Sequence, residues 1–163
     1  SRTVMTQLVM PNDTNPLGNL MGGNLMRWMD ICAGICAAKH AESHVVTASV
    51  DNVSFSQPIH LGDAVTIEAS ITRSFRTSME VYLEIFAQDM KGGNARMTNS
   101  AYMTFVALDD DKKKPILVPQ VLPLTTEQQK RFDAALRRRQ LRLILAGRLK
   151  PDQATELKSL FFD

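Results

Sequence analysis

The sequence has no apolar run approaching the roughly 20 residues that a membrane-spanning helix needs. Its first residues also lack the charged-then-apolar pattern of a secretion signal. The first absence argues against a helical membrane protein, and the second argues against secretion. From both we expect a cytoplasmic protein with no membrane partner.

An excess of charge of one sign is also missing, because 19 Lys and Arg residues face 17 Asp and Glu residues, a formal net charge of +2. This balance gives no ground for expecting a nucleic-acid partner. The last third of the chain nevertheless collects Arg137, Arg138, Arg139, Arg142, Arg148 and Lys150. This basic cluster is either a phosphate-binding patch or a helix face that contacts solvent or another subunit.

Cysteine is scarce, since Cys32 and Cys36 are too few for a disulfide scaffold, and we expect free thiols in a reducing compartment. His40 and His44 continue the four-residue spacing along a predicted helix. From Cys32 to His44 that helix advances about 18 Å, whereas zinc holds its ligands at about 2.0–2.3 Å. One ion cannot contact all four side chains, so we expect no metal site.

The stretch from residue 11 to residue 44 joins a loop rich in turn residues to one long apolar helix, which Gly22 and Gly23 open. Apolar side chains on nearly every face predict a buried helix. Glycines at a helix start leave backbone N–H groups free to hold a negatively charged atom. A carboxylate, Asp30, follows about two turns later.

Five segments outside this helix show strand patterns, either alternating apolar and polar residues or rich in β-branched residues. They are residues 3–10, 45–55, 64–73, 79–89 and 95–108. An amphipathic antiparallel sheet with one apolar helix to cover it should curve around that helix. The predicted fold class is therefore α+β, with a curved antiparallel sheet wrapped around one long central helix.

The last third of the chain differs from the rest in composition. A charged segment punctuated by proline leads to Thr125 and Gln128, which predict a helix start. We therefore expect one domain over residues 1–110, followed by a linker and a C-terminal helical extension over residues 111–163.

Several motifs of this chain, in order and with matching spacing, resemble those of the hotdog-fold acyl-CoA thioesterases, and most closely the bacterial acyl-CoA hydrolases related to the brain-type cytosolic enzyme. The motifs are Asn15–Asn19, Gly22-Gly23, Trp28–Asp30, Val46–Asp51, Phe55–Pro58 with Gly62-Asp63, Arg76–Glu80 and Asn99–Ala107. The resemblance covers residues 3–108 in register and extends to the predicted C-terminal helix. It implies a hotdog domain that hydrolyses acyl-CoA thioesters to free acid and CoA.

The resemblance also implies the site and the assembly. Asn15 from the loop and Asp30 from the central helix would face each other across a dimer interface, so that a dimer is the minimal active unit. With one copy of the domain, a homo-oligomer is the natural way to complete each site, and a trimer of dimers, a homohexamer, is expected. Coenzyme A enters as part of the substrate and product, and no other cofactor is required.

A thioester needs an activated attacking group and support for the oxyanion, because a thiolate leaves readily. Asp30 can act as a general base on water or as a nucleophile, and the sequence does not choose between them. Asn15 can donate to the carbonyl or orient the water, and the Gly23 N–H can stabilise the developing charge. Gly22 is expected to contact the substrate.

Arg76, Thr77 and Ser78 resemble the family segment that lies beside CoA, and we expect them to bind it. Phe75 precedes them where the family usually has Gly. Two other functions remain open. One is a hotdog hydratase or dehydratase, which would need a histidine paired with a carboxylate. The other is a non-catalytic binder of CoA esters.

Overall fold

The computed structural model describes residues 1–162, without the side chains of residues 161 and 162. The chain forms two compact units, Ser1–Gln120 and a second that begins at Val121. The first unit contains five strands and one long helix among its described residues. They are β1 (Arg2–Leu8), α1 (Gly22–Ala41), β2 (His44–Asp51), β3 (Asp63–Ser74), β4 (Ser78–Asp89) and β5 (Arg96–Leu108).

The five strands form one antiparallel sheet in the order β1-β3-β4-β5-β2. Alternate residues of the three central strands are buried against α1, including Ile67, Leu83 and Met103. Met29, Cys32 and Cys36 are fully buried on the helix side of this core. The predicted curved sheet around a central helix is confirmed. Each buried Leu, Ile or Met side chain contributes roughly 1.5–3 kcal/mol through the hydrophobic effect.

The helix α1 differs from its prediction at two points. It ends at Ala41 because Glu42 takes a left-handed conformation (φ 52°), so His44 begins β2 and does not lie on the helix. The helix is also not buried on every face, since Ile31 and Ile35 are each 41% exposed. The strand β2 ends at Asp51, four residues before the predicted end, because the next residue, Asn52, has a positive φ of 56°.

Residues 109–120 turn back onto the end of the sheet. Ile116 N–H donates to Ala107 O (3.0 Å), and Val118 N–H donates to Arg76 O (3.1 Å). Val118 is buried. The compact unit therefore continues to Gln120, ten residues beyond the predicted end of the domain, and the division at residue 110 stays a prediction.

The second unit contains α2 (Thr126–Leu145) and α3 (Thr155–Phe162). Thr125 caps α2 as predicted, because its hydroxyl accepts the Gln128 N–H at 3.1 Å. The Gln128 side chain in turn accepts a hydrogen bond from the Leu124 N–H at 2.8 Å. Asp163, the last residue of the predicted extension, lies outside the described residues. None of the described helices is long and apolar enough to cross a membrane.

Candidate active site

The loop between β1 and α1 holds the side chain of Asn15 in one orientation. Its Oδ1 accepts two backbone N–H groups, from Leu17 at 3.0 Å and from Asn19 at 3.1 Å. Its own N–H donates to Asn19 O (2.8 Å), and its carbonyl accepts from Gly18 N–H (2.9 Å). Only an oxygen can accept both backbone donors, so the Nδ2 group is left as a donor for a ligand.

Two glycines open the helix beside this loop. Met21 is the extended N-cap, and its carbonyl accepts from the N–H groups of Asn24 (3.1 Å) and Leu25 (3.2 Å). The N–H groups of Gly22 and Gly23 come before the first of these bonds, and within residues 1–162 neither has an acceptor. A Cβ on Gly23 would meet nothing within 4 Å, so the space next to this N–H is open.

A cavity of about 380 Å³ brings the loop and the helix start together. Its lining combines four side-chain amides with apolar side chains and the Gly22 backbone. The amides are those of Asn15, Asn19, Gln57 and Asn99, and the apolar side chains include Leu20, Leu25 and Ile59. None of the described residues that line it is charged, and neither Asp30 nor Gly23 is among them. The cavity suits a neutral, amide-containing ligand.

The side chain of Asp30 lies on the exposed face of α1, where it meets β2. Thr47 donates its hydroxyl hydrogen to Asp30 Oδ1 at 2.6 Å. The register of β2 against β5 shifts between Thr47 and Ser49, so a bulge follows Thr47 directly. Thr47 was missed as a site residue from the sequence, because a β-branched residue in a strand needs no functional explanation.

The hairpin that contains Arg76, Thr77 and Ser78 lies at the other end of the sheet. Phe75 closes it by donating its N–H to Ser78 O at 2.8 Å, and Phe75 is not among the residues with positive φ. The turn therefore forms without the glycine that is usual in the family.

The last turn of α1 lies beside this hairpin, because His40 Nε2 and Ser74 Oγ are 3.2 Å apart. Gly22 opens the same helix of 20 residues, which is about 30 Å long. One protomer therefore brings Asn15 and Gly22 together and pairs Asp30 with Thr47. It does not bring Arg76 close to Gly22.

Cys32 and Cys36 are buried free thiols, as predicted. Burial, followed by the nearby Cys36, raises the pKa of Cys32 to about 11. Burial also raises the pKa of Cys36. Over the part of the chain that the structure describes, no three His, Cys, Asp or Glu side chains are grouped as metal ligands would be.

The histidines are spread over three places. His40 Nε2 is 2.9 Å from Pro119 O, His44 lies 3.4 Å from Asp110, and His60 Nδ1 is 3.0 Å from Asn19 Oδ1. None of the three lines the cavity beside Asn15.

A sequence profile described as "Thioesterase superfamily" matches residues 17–93. The uncharacterized acyl-CoA thioester hydrolase YkhA of Bacillus subtilis is 38% identical over 138 residues, covering 85% of this chain and 80% of that protein. Acyl-coenzyme A thioesterase 11 of Mus musculus is 37% identical over 146 residues, covering 90% of this chain. The chain spans only 24% of that mouse protein.

Two similar solved structures carry the same architecture. An apo-hexameric acyl-CoA thioesterase has a TM-score of 0.85 and 41% identity, covering 89% of this chain and 92% of that one. An acyl-CoA hydrolase from Staphylococcus aureus, in complex with butyryl coenzyme A, coenzyme A and coenzyme A disulfide, has a TM-score of 0.81 and 37% identity. The match covers 90% of each chain.

Structures of three alanine variants of the Staphylococcus aureus hydrolase are also similar, and they replace an Asp, an Asn and a Thr. Along that protein the Asn precedes the Asp by fifteen residues, and the Asp precedes the Thr by seventeen.

Proposed function

The chain belongs to the thioesterase superfamily, and from this premise we propose that it hydrolyses acyl-CoA thioesters to a free acid and CoA. One observation carries the proposal beyond family membership. The orientation of Asn15 leaves its Nδ2 donor available at the cavity that Gly22 also lines. A hydrogen-bond donor beside a helix start is what the oxygen of a thioester carbonyl requires as it becomes negative.

Three residues of the proposed site have the same spacing as the substituted residues of the Staphylococcus aureus hydrolase. Asn15 precedes Asp30 by fifteen residues, and Asp30 precedes Thr47 by seventeen. The spacing supports a shared set of site residues, and it adds Thr47 to the two that the sequence suggested.

Asp30 is the proposed general base or nucleophile. Thr47 restricts its carboxylate through the 2.6 Å bond to Oδ1, which leaves Oδ2 for a water molecule or for the thioester carbon. A carboxylate held by one hydroxyl from a strand has fewer rotamers to lose when the substrate arrives. Both chemical routes use the same oxygen, so the geometry is compatible with either.

Asn15 Nδ2–H and the Gly23 N–H are the proposed donors to the oxyanion, with the Gly22 backbone contacting the substrate beside them. Charge that develops at a helix start is also stabilised by the helix dipole. The fixed orientation of the Asn15 amide limits how this residue could orient a water molecule, because only its Nδ2 donor is available at the site. It therefore either donates to the carbonyl oxygen or donates to the oxygen of the attacking water.

The site is proposed to be shared between two protomers. Asp30 does not line the cavity of its own Asn15, so a second copy is the natural source of the missing carboxylate. Among the described strands β2 pairs only with β5, so no described strand pairs with its other edge next to Thr47. Val46 and Val50 are 47% and 37% exposed on this strand. We propose this edge strand as the dimer contact because it also carries Thr47, which holds Asp30.

The remaining proposals concern the rest of the substrate and the assembly. Arg76, Thr77 and Ser78 are proposed to bind the phosphates of CoA from a neighbouring protomer, because in their own protomer they lie at the far end of α1. Three such dimers are proposed to form a hexamer. No cofactor other than the CoA of the substrate is required, and a cytoplasmic location stays a prediction.

A hydratase or dehydratase fits the site less well, since none of the described histidines lines the cavity. A protein that only binds CoA esters would not need the Thr47 hydroxyl to orient the exposed carboxylate of Asp30. Neither alternative is favoured by an observation of its own.

The test is the release of free thiol from acyl-CoA substrates of increasing chain length, with the matching S-acyl-pantetheines beside them. We expect turnover by the unmodified chain, and near-complete loss in Asp30→Asn and in Asn15→Ala. Arg76→Ala should raise KM for the CoA esters and leave it unchanged for the pantetheine esters, which lack the diphosphate. If the oligomeric, folded wild type releases no thiol from any ester, the proposed function is wrong.

A further inference from the structure

We infer that Asn19 and His60 are positioning residues that hold Asn15 in its donating orientation. The inference rests on the proposed role of Asn15 as a donor to the substrate. Neither residue belongs to the set suggested by the sequence or by the spacing of the Staphylococcus aureus variants. Both act through Asn15, and His60 does not itself line the cavity.

The orientation of Asn15 depends on the residues that follow it. Its backbone N–H, its carbonyl and its side-chain oxygen are all bonded to residues 17–19. Asn19 contributes twice, by accepting the Asn15 N–H and by donating its own N–H to Asn15 Oδ1. A shift of Asn19 therefore moves or rotates the Asn15 amide, because Asn19 supplies one of the two N–H groups that hold Asn15 Oδ1, the other being that of Leu17.

Asn19 is held in turn by the segment that precedes β3. Two backbone bonds tie the loop to this segment, Leu20 N–H to Ile59 O at 2.7 Å and Leu61 N–H to Gly18 O at 2.9 Å. Between them, His60 Nδ1 and Asn19 Oδ1 are 3.0 Å apart, which is a hydrogen bond between side chains. With the amide oxygen as acceptor, His60 must carry its proton on Nδ1.

His60 can serve as an anchor because its own backbone is clamped. Its N–H donates to Asp63 Oδ2 at 3.0 Å, and its carbonyl accepts the Asp63 N–H at 3.0 Å. Asp63 is only 5% exposed, and Arg96 donates to the same Oδ2 at 3.0 Å and to Pro58 O at 3.1 Å. A series of hydrogen bonds therefore runs from the sheet to the proposed substrate position, through Arg96, Asp63, His60, Asn19 and Asn15.

Among these contacts, His60 is the residue at which a positioning role can be distinguished from a structural role. Asp63 and Arg96 hold the turn itself, so substitutions there would disturb the fold. His60 is exposed, and its side chain has one described partner, Asn19. Removal of this side chain leaves both backbone bonds between the loop and the turn. We therefore expect the loop to stay folded while Asn19, no longer anchored through its side chain, moves more freely and weakens its bonds to Asn15.

The first test is kinetic. We expect His60→Ala to lower kcat for an acyl-CoA by about tenfold with little change in KM, because a misplaced donor weakens the transition state more than the bound substrate. His60→Asn should restore most of the loss, since its amide N–H can occupy the place of Nδ1–H. In an Asn15→Ala background, His60→Ala should have no further effect on kcat, because there is no longer an amide to position.

The second test does not depend on activity. Hydrogen exchange followed by NMR should show faster exchange of the Leu17 and Asn19 N–H groups in His60→Ala, with the N–H groups in the middle of β3 and β4 unchanged. Unchanged exchange at Leu17 and Asn19 would overturn the inference. An equal loss of kcat in the wild-type and Asn15→Ala backgrounds would also overturn it. If the wild type hydrolyses no acyl-CoA, the proposed function fails, and hydrogen exchange alone decides whether His60 positions Asn15.

Discussion

Thr47 Oγ1 lies 2.6 Å from Asp30 Oδ1, and this bond joins the edge strand β2 to the middle of the central helix. Both side chains are exposed in the single protomer. A bond at an exposed position contributes little to folding, so its main effect is on the orientation of the carboxylate.

The bond between Thr47 and Asp30 predicts the behaviour of two matched variants. Thr47→Val keeps the shape of the side chain but removes the donor, and we expect kcat to fall by about tenfold with an unchanged unfolding midpoint. Thr47→Ser keeps the donor and should retain most of the activity. Thiol release and thermal unfolding measure the two effects. Wild-type kcat in Thr47→Val would show that Asp30 does not need Thr47.

Gly23 offers a case in which stability and activity should move independently. A Cβ at this position meets nothing within 4 Å, and alanine has a higher helix propensity than glycine by up to about 1 kcal/mol. We expect Gly23→Ala to be as stable as the wild type or slightly more stable. Its kcat/KM should nevertheless fall by about tenfold or more, because the methyl group occupies the space that the thioester needs beside the N–H.

Gly22→Ala is the control for Gly23→Ala, because it adds the same methyl group one residue earlier. Its Cβ would make an ordinary contact with the Phe55 ring at 3.4 Å. It should fold as well as the wild type. Full activity in Gly23→Ala would remove Gly23 from the proposed oxyanion site.

The edge strand β2 is where we expect the proposed dimer to form. Val46→Lys places a charge on this edge in both copies, and we expect the protein to dissociate and to lose activity together. Val4→Lys, on the opposite edge strand β1 and similarly exposed at 50%, should keep the dimer. Light scattering after size-exclusion chromatography measures the mass. An active monomer of Val46→Lys would contradict the shared site.

The buried thiols predict how stability depends on pH. The pKa of Cys32 rises from 9.0 to about 11 on folding, so the unfolded chain loses this proton at lower pH than the folded chain. The contribution is fully present below pH 9 and is lost as the pH rises through 11, at about 1.4 kcal/mol per pH unit and per proton. Denaturant titrations between pH 8 and 11 should show this fall. Cys32→Ala should show a weaker dependence on pH in this range.

Much of the fold could be predicted because its signals are local. The alternation in β3 and β4 and the turn between them lie within a few residues of one another, and so do Thr125 and Gln128 at the start of α2. The errors fell where the backbone changes conformation at a single residue. Glu42 and Asn52 end α1 and β2 by taking positive φ, which neither residue type requires.

The site was less accessible from the sequence because its contacts join distant segments. The bond from Thr47 to Asp30 depends on the register of an edge strand and on the bulge that follows it. The bond from His60 to Asn19 joins two loops 41 residues apart. Neither arrangement has a local pattern. The resemblance to thioesterases gave roles to Asn15 and Asp30; Asn19 and Thr47 lie within its motifs but received no role, and His60 lies outside them.

Mixing two inactive variants tests whether Asn15 and Asp30 of one site come from different protomers. Asn15→Ala and Asp30→Asn are unfolded together, refolded as a 1:1 mixture and assayed for thiol release. If Asn15 of one protomer works with Asp30 of the other, each mixed dimer regains one intact site, and the mixture should recover about a quarter of wild-type activity. If the mixture stays as inactive as its components although native mass spectrometry shows dimers that contain both variants, the two residues act within one chain and the site is not shared.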